Sequence, residues 1–139
     1  MRVELFQHVP KEARAIREKV FIEEQGFQEE FDHIDDVATH FVVYDDSEVA
    51  IATCRVFYDE QQGSYLLGRL AVTKEHRGKN IGRIIVEAAE KHVQEIGGAQ
   101  LQLHAQCRIT EFYNKLGYVA FGDVEDDQGC PHIWMRKVL

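Results

Sequence analysis

The stretch GRLAVTKEHRGKNIGRIIVEAAE, residues 68–90, changes its hydrophobic period halfway. Its first residues complete an aromatic and β-branched run from Tyr65 to Val72 that reads as a strand. From Ile81, apolar residues recur at Ile84, Ile85, Ala88, Ala89, Val93 and Ile96, which is helical spacing, and Gly97-Gly98 supplies the stop. Between strand and helix lies a basic, glycine-containing turn. The first N–H groups of a helix lack intrahelical partners and carry the positive end of its dipole, so such a turn suits a pyrophosphate-like anion. Gly78 and Gly82 would let the backbone approach it, and Arg77, Lys79 and Arg83 add cationic side chains. Taken alone, the segment also reads as a plain strand-to-helix turn with solvated basic residues.

Working outward, Arg2 to Phe6 alternates as a strand, and Pro10 suits the first turn of a helix through Ala13, Ile16, Val20 and Phe21, ended by Gly26. The acidic stretch QEEFDHIDD has no sustained period and reads as a loop or short helix. His40–Tyr44, Val49–Tyr58 and Tyr65–Val72 read as an antiparallel meander separated by turn residues. After the long helix, Leu101–Ala105 reads as a strand, Ile109–Leu116 as a short helix capped by Gly117, and Tyr118–Val124 and His132–Val138 as closing strands. Helices among strands predict a mixed α/β layer.

At 139 residues, with 45% apolar composition and only 2 prolines, the chain is expected to form one domain with one core. Lys and Arg total 16 against 24 Asp and Glu, a formal net charge of -8, which opposes nucleic-acid binding and favours a cationic substrate. No run approaches the ~18 apolar residues of a membrane span, and no leader is evident, so a cytoplasmic location without membrane association is expected. Cys54, Cys107 and Cys130 are odd in number and far apart, which favours reduced thiols over a disulfide framework or a zinc site. Asp32-His33-Ile34-Asp35-Asp36 lacks further ligands at sensible spacing and reads as a solvated acidic loop, so no metal is expected. Glu29, Glu30, Asp32, Asp35 and Asp36 are instead expected to draw a cationic acceptor toward a cleft.

One strand downstream of the basic turn lies AQCRITEFYNKLGYVAF, and the two segments together resemble the GNAT superfamily of acyl-CoA-dependent N-acetyltransferases over residues 68–121. The family loop Q/R-x-x-G-x-G/A is matched by Arg77-Gly78-Lys79-Asn80-Ile81-Gly82, and its Phe-Tyr and Lys-Leu-Gly-Phe/Tyr elements by Phe112-Tyr113 and Lys115-Leu116-Gly117-Tyr118. Asn80 departs from the family's glycine, but asparagine is the least costly non-glycine residue at positive φ and a good N-cap. The resemblance implies an α/β single-domain GNAT-like fold: a mixed, mostly antiparallel twisted sheet flanked by helices, with central strands splayed near Val72. It further implies that backbone groups of Leu70, Ala71 and Val72 pair with the pantetheine arm of acetyl-CoA, bound as co-substrate. The Arg77 to Arg83 turn, including Asn80, would hold the pyrophosphate, Gln106 would touch the arm from the other side, and Tyr113 would be the general acid. Phe112 is read as packing.

The N-terminal segment IREKVFIEEQGFQEEFDHIDD resembles the ElaA-like subgroup and, more faintly, the acyl-homoserine-lactone synthases, through Arg17, Val20, Phe21, Asp32 and Asp35. Direct attack by an amine needs a base, and Glu23, Glu24, His104, His132 or an ordered water chain are open candidates. The expected function is N-acetyl transfer to the primary amine of a small molecule or peptide. A non-catalytic acyl-CoA-binding or sensing domain is the alternative, a lactone-synthase-like acyltransferase ranks below it, and a structural protein whose basic turn is only a turn stands third. The acceptor, the acyl length and the oligomeric state are not legible, and a homodimer is compatible with the sequence.

Overall fold

The computed structural model describes residues 1–27 and 31–139, so the expectations for Glu29 and Glu30 lie outside the described residues. THFVVY and AIATCRVFYD, dense in β-branched and aromatic side chains, form β2 (Thr39–Tyr44) and β3 (Ala50–Asp59) at the heart of a sheet covered on both faces. β1 (Arg2–Phe6), β4 (Ser64–Val72), β5 (Gln100–Gln106), β6 (Val119–Asp127) and β7 (Cys130–Val138) complete it in the order β1-β2-β3-β4-β5-β7-β6. Every pairing is antiparallel except β4 with β5. The helices are α1 (Lys11–Arg17), α2 (Ile81–Glu95) and α3 (Thr110–Lys115).

Alternation along β2 divides the core. Phe41 and Val43 pack with Ile85, Val86, Ala89 and Val93 of α2, while Val42 and Tyr44 pack with Ala13 of α1. The helix expected from Ala13 to Phe21 changes character on the way: α1 ends at Arg17, and Glu18–Glu24 continues it as a π-helical segment closed by Gln25. A widening of this kind is a frequent mark of a functional site. Pro10 stands one residue earlier than expected, at the N-cap rather than inside the first turn.

The acidic stretch is where the structure departs most from the sequence reading. His33–Asp36 forms a 3-10 turn with Asp32 as its N-cap, and Asp35 is only 5% exposed. The Asp35 carboxylate accepts two hydrogen bonds from Arg17, at 2.8 and 3.2 Å, and one from Arg55 at 2.9 Å. Arg55 reaches both oxygens of Asp32, at 2.6 and 3.1 Å. Asp35 is thus buried rather than solvated, while Asp32 and Asp36 stay exposed; Asp32 and Asp35 pair with buried arginines and tie α1, the 3-10 turn and β3 together.

Candidate active site

Two irregularities open the middle of the sheet. Along β3–β4, Thr53 pairs with Ala71 and Arg55 with Gly68, so Cys54 faces two β4 residues, Arg69 and Leu70. This is a β-bulge, and Arg69 adopts φ 54°, a conformation costly for a non-glycine residue. Along β4–β5, pairing runs only from Tyr65↔Leu101 to Leu67↔Leu103, although both strands continue. Residues 68–72 and 104–106 thus diverge as two arms of a V, as expected near Val72.

The coenzyme-side candidates gather on one side of this opening. A groove of about 480 Å³ is lined by Leu70, Ala71, Val72, Arg77, Gly78, Asn80, Gly82 and Arg83, together with Phe112 and Arg108. Lys79 is exposed on the same loop but outside the lining. Asn80 takes φ 64°, as anticipated, yet its side chain makes no cap hydrogen bond. The first backbone bond of α2 runs from Ile84 N–H to the Asn80 carbonyl. Consequently the amide groups from Gly78 through Arg83 have no acceptor among the described residues. Unengaged donors at the positive end of a helix suit an anion.

Gly82 serves a purpose the sequence did not show. A Cβ there would sit 2.9 Å from Cζ of Phe112, so glycine is needed for α2 to meet the α3 ring, not only for approach of an anion. Gly82→Ala is expected to push the Phe112 ring into the groove and cost about 1–3 kcal/mol, which the midpoint of urea unfolding checks.

On the other side of the V lies a smaller cleft of about 160 Å³ lined by Tyr113, His104, His132, Gln106, Arg69 and Phe27, among others. Leu70 and Ile109 line both spaces, which therefore adjoin at the opening. Tyr113 is 4% exposed, and burial pushes its hydroxyl pKa well up, so it stays protonated at neutral pH. His132 Nδ1 lies 2.7 Å from the Cys130 carbonyl, which can only accept. Nδ1 therefore carries the proton, and Nε2 is left with a basic lone pair. His104 stacks on Trp134 at 4.6 Å and lies 5.0 Å from His132, ring centre to ring centre. Its pKa is lowered, first by burial and then by His132, against the pull of Glu125 and Asp127. His104 Nε2 is 3.4 Å from Glu125 Oε1 without an aligned hydrogen bond.

The remaining candidates stand at the rim between the two spaces. Glu24 binds Arg77 at 2.7 Å, and Gln106 donates to Gln25 at 3.0 Å. Glu23 is exposed. Gln25, Phe27, Arg69 and Arg108 escaped the sequence reading; only Arg108, closely following the end of a strand, carried any signal there.

Comparison with known proteins gives a consistent answer. The family model of the acetyltransferase (GNAT) domain matches residues 7–139. A Bacillus subtilis protein named "Uncharacterized N-acetyltransferase YjcF" is 36% identical over 130 residues, 91% of each chain. The structure of Escherichia coli ElaA superposes with TM-score 0.84 at 20% identity over 98% of both chains. An aminoglycoside 6'-N-acetyltransferase complexed with coenzyme A superposes with TM-score 0.78 at 18% identity, covering 99% of this chain and 97% of that one. The open V, the helix-start anion cradle and this match across nearly the whole length together place the chain in the GNAT acetyltransferase family.

Proposed function

We propose that the protein is an acetyl-CoA-dependent N-acetyltransferase that moves the acetyl group to a primary amine of a small molecule or peptide by direct attack. The observation that carries this is the row of unengaged amides from Gly78 through Arg83, opening onto a groove that runs into the splayed strands. Those amides, with Arg77 and Arg83, would hold the coenzyme's diphosphate. The β5-side edge of β4 beyond its last pairing with β5, residues 70–72, would offer backbone groups to the pantetheine amides as an added strand does. Gln106 faces the same opening from the β5 arm. The coenzyme supplies an activated acyl group as a thioester.

The protein must then manage two protons. A lysine-like amine with pKa ~10.4 costs roughly 4–5 kcal/mol to deprotonate at pH 7. His132 is the base this geometry favours, because the Cys130 carbonyl fixes its tautomer with Nε2 unprotonated. Glu24 does not line the cleft that holds Tyr113, and His104 has its Nε2 buried against Glu125. As the amine nitrogen bonds to the carbonyl carbon, its proton passes to His132, and the C–S bond breaks toward Tyr113. Full proton transfer from a phenol of pKa ~10 to a thiolate of conjugate pKa ~8.5 is uphill by about 2 kcal/mol, and burial of Tyr113 enlarges that gap. Tyr113 therefore acts chiefly as a hydrogen-bond donor to the leaving sulfur.

The test has two arms. Saturating acetyl-CoA should raise the melting temperature by several degrees, as ligand linkage requires, and an amine panel should then release free thiol. Stabilisation without thiol release from any amine would mean a binding module instead of an enzyme, and no stabilisation would remove the anion site.

A further inference from the structure

Two side-chain bridges cross the mouth of the groove, and both start from the end of the π-helical segment. Arg77, on the loop that follows β4, donates to Glu24 at 2.7 Å and also to the Val72 carbonyl at 3.0 Å. Gln106, at the end of β5, donates to Gln25 at 3.0 Å and accepts from Arg108 at 2.8 Å. The end of the segment is thus tied to the loop leaving one arm of the V and to the tip of the other. Arg77 is the residue immediately before the open amide row, and its guanidinium is already engaged, by one carboxylate and one carbonyl of the protein.

We propose that Glu24 is a placeholder for the coenzyme's diphosphate: it occupies the Arg77 guanidinium until the diphosphate arrives, and its displacement makes the affinity for coenzyme A lower than the cradle alone would give. This rests on reading the groove as the coenzyme site. A diphosphate carries more negative charge than one carboxylate, presents oxygens to a guanidinium fork, and is held at the same moment by the amides from Gly78 onward. A carboxylate this close to two phosphates would repel them, so the pair must open for both to be accommodated. Side-chain exposure of 45% for Arg77 and 26% for Glu24 keeps that opening inexpensive. Exposed pairs of this kind contribute little, enough to tune binding and too little to block it. Glu23, the neighbouring carboxylate, is exposed and has no ion pair among the described residues, which makes it the internal control for bulk charge.

The test is calorimetric titration of the full chain with coenzyme A. Glu24→Gln should tighten binding roughly threefold to fivefold, Glu23→Gln less than about half as much, and Arg77→Gln should weaken it. In the Arg77→Gln background the gain from Glu24→Gln should vanish. Equal tightening by Glu23→Gln and Glu24→Gln, or a gain that survives without Arg77, would reduce the effect to net charge and overturn the placeholder. Weaker binding by Glu24→Gln would overturn it too. If neither parent nor Glu24→Gln binds coenzyme A, the reading of the groove itself fails and takes the placeholder with it; unchanged binding sinks the placeholder and leaves the groove standing.

Discussion

Tyr113→Phe is expected to lower kcat by roughly 100-fold to 1,000-fold, the range for removing one positioned hydrogen-bond donor to developing negative charge, with coenzyme A affinity and thermal stability close to the parent's. The hydroxyl is the only group removed, and among the described residues it makes no hydrogen bond whose loss would unbalance the core. The ring keeps its edge-on contacts with Phe112 at 4.9 Å and Tyr118 at 5.9 Å. What disappears, on the proposed mechanism, is the donor to the leaving sulfur. The defect should also depend on the leaving group. A thioester whose thiol is more acidic needs less help to depart, so an aryl thioester analogue of the same acyl group should narrow the gap between variant and parent. Thiol release measured for both thioesters checks this; a variant within about threefold of the parent on acetyl-CoA would leave Tyr113 as a wall of the cleft.

The elements were legible because period and punctuation agree in this chain. Ile81, Ile85, Ala89 and Val93 repeat every four residues until Gly97-Gly98, and the meander alternates between turn residues, so α2 and β2 to β4 fell close to where expected. The Arg77 to Arg83 turn was legible for a different reason: a basic glycine turn between strand and helix is a local arrangement, fixed by its own backbone. What escaped depends on residues distant in sequence. Ala13, Ile16, Val20 and Phe21 have spacings that suit an α-helix and a π-helix alike, so the widening at Glu18 left no trace. The bulge puts its positive φ on Arg69 rather than on a glycine, and Gly68 just before it was an unread signal. Asp35 looked solvated because its partners, Arg17 and Arg55, lie on other elements. The overlooked signal lay in the partners: Arg17 falls inside the apolar stripe of α1, and Arg55 sits between Cys54 and Val56 in an otherwise apolar strand. A cation in such a position demands a buried anion, and the nearest unassigned anions were those of the acidic loop.

That buried network sets the largest expected effect on stability. Asp35→Asn should cost about 3–5 kcal/mol at pH 7, because it leaves Arg17, 1% exposed, and Arg55, 3% exposed, short of a charge they both contact. The pH dependence follows from the same contacts. Burial alone would push the Asp35 carboxyl up, but hydrogen bonds and charge from Arg17 and Arg55 outweigh it and hold the pKa at about 2, below its ordinary 3.8. The folded-state pKa is depressed, so the contribution is fully present above the unfolded value near 4 and drains away as pH falls from there toward 2, roughly 2 kcal/mol in all. The amide introduced by Asp35→Asn cannot titrate, so the stability gap between parent and variant should be wide and flat from pH 7 to 5 and close by about that amount on acidification. Urea unfolding at pH 7, 5 and 3 reads the gap, with about half of the closure complete at pH 3. A gap of constant width would mean that the carboxylate's charge contributes nothing and that shape alone holds α1 to β3. A gap that narrows would identify charge neutralisation of two buried guanidiniums as what fixes α1, and the π-helical segment it leads into, over the splayed strands.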